Sequence, residues 1–112
     1  MTTLFGKIID REIPADIIYE DEHCLAFSDI DPQAPTHVLL VPKKEIARLA
    51  DATVEDQAIL GHMMVAAGTI ARQLGVEEAF RVVINNGAGA GQSVFHLHLH
   101  ILAGRRMNWP PG

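Results

Sequence analysis

Apolar residues along this chain follow different rhythms, and each rhythm predicts a different element. In TLFGKIID (3–10), Leu4, Phe5, Ile8 and Ile9 recur at helical spacing. Thr3 is placed to cap that segment and Pro14 to end it, so a short helix is expected. Over 53–74, TVEDQAILGHMMVAAGTIARQL, the residues Ile59, Leu60, Met63, Met64, Ala67, Ile70, Ala71 and Leu74 form a broad apolar stripe. This predicts one long helix, stopped by Gly75, with both methionines in the core. Thr53 and Asp56 have the spacing of a capping box at its start. Strands are expected at 17–20 and 24–29, joined by the polar turn Asp21-Glu22-His23, then at 37–41 before Pro42, and at 80–85. The segment DPQAPT (31–36) carries two prolines and reads as a loop.

The stretch SVFHLHLHIL (93–102) has a strict period of two: His96, His98 and His100 alternate with Leu97, Leu99 and Ile101. That predicts a fifth strand over 97–102, with the imidazoles facing one way and the aliphatic residues turned into a core. Strands gathered around one long helix point to an α+β fold, an antiparallel sheet with one long and one short helix. No linker or repeat divides the chain, so residues 1–112 read as one domain with an irregular tail from 105 to 112.

Composition narrows the function classes. Apolar residues make up 48% of the 112, enough for an ordinary core, and 21% are charged, which argues against global disorder. The net charge of −5 argues against a general nucleic-acid or membrane-surface binder, but a local site can still hold a small anion. The single cysteine, Cys24, allows neither an intrachain disulfide nor a cysteine-based zinc site. The first residues are charged too soon for a secretory signal, so the cytoplasm is the expected compartment. Cys24 is expected to pack in the sheet, and His23 and His62 are expected at the surface.

Two features carry candidate chemistry. The loop NGAGAG (86–91) can turn backbone N–H groups toward an anion, because glycines leave no side chains in the way. It lacks the Lys-Ser/Thr of a phosphate-binding P-loop, and a strand rather than a helix follows it. Directly after it come the three histidines. Alternate Cα atoms on a strand lie about 6.6–7 Å apart, so three imidazoles on one face can share a pocket. Such a trio suits zinc, proton transfer or nucleophilic attack.

The pattern Asn85-x-Gly87-x-x-x-Gly91-Gln92-x-Val94-x-His96-x-His98-x-His100-Ile101-Leu102 resembles the signature of the histidine triad superfamily. FGKIIDREIPADIIYED, CLAFSDIDPQAPTHVLLVPKK and the ending NWPPG are similar to its nucleotide-binding protein branch, so the resemblance spans essentially the whole chain. It implies a five-stranded sheet that joins a second copy into a ten-stranded one. It also implies a hydrolase of purine nucleoside phosphoramidates that needs no metal or other cofactor. His98 would be the nucleophile, the His96 carbonyl would hold the His98 proton, and His100 would bond a phosphate oxygen. His37 would support that network. Ser93, with the backbone of Gln92 and Val94 beside Gly91, would bind phosphate and the leaving group. Phe5, Ile8, Phe27, Ile30 and Leu39 would line the base pocket, Asp29 would hold the ribose, and Asn85 would lie beside the phosphate. The ligand would be a purine nucleoside monophosphate or phosphoramidate; nucleic acid and membrane are not expected partners. The small residues 66–68 on the long helix and the strand FRVVIN offer an interface for the second copy. Arg105 or Trp109 of the tail would reach the partner's pocket. A metal protein using His37, His96, His98 and His100 and a nucleotide-binding regulator remain the alternatives.

Overall fold

A computed structural model describes residues 2–112. The short helix α1 (Leu4–Ile9) begins at Thr3, whose hydroxyl accepts the Gly6 N–H at 2.9 Å. The strands are β1 (Ile17–Glu20), β2 (Cys24–Ser28), β3 (Thr36–Pro42), β4 (Phe80–Val83) and β5 (Leu99–Ala103). They form one antiparallel sheet in the order β1-β2-β3-β5-β4. The long helix α2 (Gln57–Gln73) is preceded by a 3-10 turn, Val54–Asp56. The predicted cap sits on that turn, with the Asp56 carboxylate accepting the Thr53 N–H at 2.9 Å.

Both faces of the sheet carry packed apolar residues along β2 and β3, which explains why these strands read as nearly unbroken apolar runs. Cys24, Ala26, Val38, Leu40, Leu99 and Ile101 face α2, where they meet Met63, Ala66, Ala67 and Ile70. Leu25, Phe27, Leu39 and Val41 face the other way and meet Phe5 and Ile8 of α1. A helix of six residues cannot cover a five-stranded sheet, so part of this second face stays open.

Four expectations change. Met63 is fully buried but Met64 is 53% exposed, because α2 is narrower in its contact with the sheet than the apolar stripe suggested. Ala66 and Ala67 are buried against the chain's own sheet, which leaves Gly68 as the half-buried member of the small-residue patch. Strand β4 ends at Val83 rather than at residue 85. Strand β5 starts at Leu99, which leaves His96 and His98 ahead of it. The β3–β5 ladder stops at the Leu40–Leu99 pair; beyond it the Pro42 carbonyl is taken by the His96 ring, and Leu97 N–H turns to Ile46. No helix among the described residues is long and apolar enough to cross a membrane.

Candidate active site

The open part of the sheet is a pocket of about 590 Å3. Its floor is β2 and β3 (Phe27, Leu39), one wall is α1 (Phe5, Ile8), and the other is formed by Ser93, Val94, His98 and His100. The Phe5 ring stands edge-on to Phe27 at 5.3 Å and to His98 at 4.9 Å, so the aromatic wall and the imidazole form one surface.

Hydrogen bonding assigns the proton on each ring. His98 Nδ1 lies 2.7 Å from the His96 carbonyl, which can only accept, so Nδ1 carries the proton. In the neutral ring Nε2 is then left with a lone pair. His98 lines the pocket and is 6% exposed, and burial lowers its pKa, which keeps it neutral and basic only toward the pocket. His37 is read from the opposite end. The Gln33 N–H donates to His37 Nδ1 at 3.0 Å, so His37 carries its proton on Nε2. That atom is 2.9 Å from His100 Nδ1 and 3.4 Å from Asp29 Oδ2. His100 must therefore accept at Nδ1 and hold its own proton on Nε2. Burial, followed by the neighbouring His98 and His37, pushes the His100 pKa down to about 4, against the pull of Asp29. The pocket wall thus offers a lone pair at His98 and an N–H donor at His100, with ring centroids 5.0 Å apart.

His96 does not join them. Its ring is fully buried behind the pocket, between Thr3 Oγ1 at 2.8 Å and the Pro42 carbonyl at 2.8 Å. The expectation that three imidazoles share one pocket is corrected: two face it, and the third contributes its carbonyl.

The sequence profile of the HIT domain matches residues 10–107. The chain belongs to the HIT domain family. A HIT-like protein of Synechocystis, slr1234, is 62% identical over 110 residues, covering 98% of this chain and 96% of its own. The 14 kDa zinc-binding protein of Zea mays is 52% identical over 112 residues, 98% of this chain and 88% of that one. Among solved structures, a HIT family hydrolase of Legionella pneumophila superposes with a TM-score of 0.95 at 48% identity, covering 97% and 98% of the two chains. A histidine triad nucleotide-binding protein of Candida albicans superposes with a TM-score of 0.84 at 30% identity, covering 97% and 83%.

Within this HIT domain, ten of the predicted positions meet at the pocket: Phe5, Ile8, Phe27, Asp29, Ile30, Leu39, Ser93, Val94, His98 and His100. Ile30 is fully exposed and sits at the rim. Asp29 has two attachments, since Oδ1 accepts the Asp31 N–H at 2.8 Å while Oδ2 lies near His37. Five positions do not line the pocket: His37, His96, Asn85, Gly91 and Gln92. Gly91 sits at φ 98°, a left-handed turn, close against Asn85. Gln92 is 3% exposed, and its side chain clamps the glycine loop. Its Oε1 accepts the Gly87 N–H, its Nε2 donates to Ala47 and Val94 carbonyls, and its own N–H goes to Gly87. Sequence reasoning missed Asp16, which accepts from the Ser28 hydroxyl at 3.0 Å beside the pocket, along with Leu4, Ile13 and Ala15. The AD in IPADII gave no periodic signal.

Two side-chain groups among the described residues could gather a cation: Asp29, His37 and His100 at the pocket, and Asp21, Cys24 and His62 on the α2 side. In the second group Asp21 already accepts from His62 at 2.6 Å, Tyr19 at 2.8 Å and the N–H groups of His23 and Cys24. Burial pushes the Cys24 thiol up to about 12, helped by the Asp21 charge. His62 is therefore a tether between α2 and the β1–β2 turn, not the plain surface residue its sequence context suggested.

Proposed function

We propose that the chain hydrolyses purine nucleoside 5′-phosphoramidates, releasing AMP and an amine through a nucleotidyl–His98 intermediate. The observation that carries the reading is the His98 ring, anchored at Nδ1 with its Nε2 lone pair on the pocket wall. The His98 Nε2 attacks the α-phosphorus, the P–N bond breaks, and the amine leaves with a proton. Ser93, at the same wall, is suited to deliver it. Water then adds to phosphorus, the P–Nε2 bond breaks, and AMP departs with His98 restored. The His100 Nε2–H is suited to bond a nonbridging oxygen as charge builds there. The apolar walls suit a base, and Asp29 suits ribose hydroxyls. The hydrolase name of the Legionella neighbour and the nucleotide-binding name of the Candida neighbour support the same class of ligand and reaction.

The experiment is turnover of a fluorogenic adenosine phosphoramidate by untagged protein in excess chelator. Wild type is expected to turn over and His98→Ala to bind AMP without turnover. A wild-type rate in His98→Ala overturns the nucleophile, and loss of activity with chelator favours a zinc centre instead. That second reading draws on the maize relative's name and on the Asp29–His37–His100 group. The first reading also carries a homodimer, with β4, an edge strand, pairing with its copy into ten strands. Sedimentation at assay concentrations checks it.

A further inference from the structure

We propose that Thr3 is a positioning residue for His98: its hydroxyl fixes the tautomer and orientation of the His96 ring, and so the carbonyl that holds His98. Thr3 lies 93 positions from His96 in the chain, yet Oγ1 is 2.8 Å from His96 Nδ1. On the far side of the ring, Nε2 is 2.8 Å from the Pro42 carbonyl. A carbonyl has only lone pairs to offer, so Nε2 carries the hydrogen. Burial lowers the His96 pKa, and the neutral ring has a single N–H, so Nδ1 must accept and Thr3 must donate.

The same hydroxyl already accepts the Gly6 N–H at the start of α1. One oxygen therefore performs two opposite tasks: its lone pair caps the helix and its proton fills a buried imidazole. A methyl group can do neither, and a carboxylate can do only the first. The consequence reaches the pocket by two routes. The carbonyl of His96 accepts the His98 Nδ1–H at 2.7 Å, so a backbone shift that accommodates an unpaired His96 ring would move that acceptor. Thr3 also seats α1, whose Phe5 packs against the His98 ring at 4.9 Å.

Three variants of the full chain separate donation from capping: Thr3→Ser, Thr3→Asp and Thr3→Val. Asp caps helices as well as Ser does but presents only lone pairs to Nδ1. The first readout is the ring 15N spectrum of the histidines, which reports each tautomer without any substrate. Wild type and Thr3→Ser are expected to show His96 neutral with its proton on Nε2 at pH 7. Thr3→Asp is expected to show His96 doubly protonated, with α1 retained by circular dichroism. The second readout rests on the phosphoramidate reading: kcat is expected to fall on the order of tenfold or more in Thr3→Asp and Thr3→Val, with KM little changed, and to be rescued in Thr3→Ser. A neutral His96 in Thr3→Asp, or a Thr3→Ser ring spectrum as altered as that of Thr3→Val, overturns the proposal. If wild type fails to turn over phosphoramidates, the functional reading falls, while the ring spectra still decide the role of Thr3.

Discussion

Lowering the pH should destabilise this protein early, and His100 should carry a measurable share of the loss. In an unfolded chain a histidine binds its proton near pH 6.5; in the native site burial, His98 and His37 hold His100 down to about 4. Between those values the unfolded state binds the proton and the native state does not, so stability falls as pH falls, and it is fully present above about 6.5. Between pH 7 and roughly pH 4.5, a single group with this displacement costs about 2 kcal/mol. His100→Gln removes the titration but keeps an acceptor for the His37 Nε2–H. Urea unfolding followed by far-ultraviolet circular dichroism, at one protein concentration and both pH values, gives the comparison. Wild type should lose about 2 kcal/mol more than the variant. His96 and His98 are also held neutral by burial, but they contribute to both proteins and cancel. Equal losses in the two proteins would show that burial does not keep His100 neutral.

Gln92→Ala should destabilise the protein by about 1–3 kcal/mol in the same urea assay, because half-buried backbone groups at Gly87 and Ala47 lose two hydrogen bonds worth about 0.5–1.5 kcal/mol each; a neutral result would mean the loop holds itself. If Asp29 contacts ribose, 2′-deoxy substrates should lose about 1.5–3 kcal/mol of transition-state binding in kcat/KM, and Asp29→Ala should abolish the difference. Deleting residues 105–112 should change the ranking of amine leaving groups while AMP affinity stays the same. Trp109 is 83% exposed in the single chain, and an unchanged ranking would make the tail a solvated terminus.

Elements were legible where a period ran long enough. The stripe in α2 and the alternation of β5 both predicted their elements, but their ends depended on distant groups. The first turn of the long helix tightened to 3-10 geometry, and β5 lost two residues because the Pro42 carbonyl was claimed by a side chain. Chemistry was legible in part. The spacing of His96, His98 and His100 brought the right residues to notice, yet period alone put His96 on the pocket face. Its actual place is set by Thr3 and Pro42, neither of which lies near it in sequence. The tautomer of His37 depends on a backbone N–H of Gln33, which any residue but proline would supply. The resemblance assigned a role only to the Gln92 backbone; the clamp made by its side-chain amide shows only in the folded loop.

The unequal covering of the sheet has a consequence for how such a protein can change. Nearly all of the packing that involves α2 lies on one side, and the ligand cavity lies on the other, roofed by a helix of only six residues. Substitutions at the less buried Leu4 or Ile13 can reshape the roof without touching Met63, Ile70 or their neighbours. A library varied on that roof should yield many folded proteins with altered ligand preference, whereas a library of equal size on the α2 face should yield mostly unfolded ones. The division of labour between the two faces makes binding specificity and thermodynamic stability separately adjustable traits.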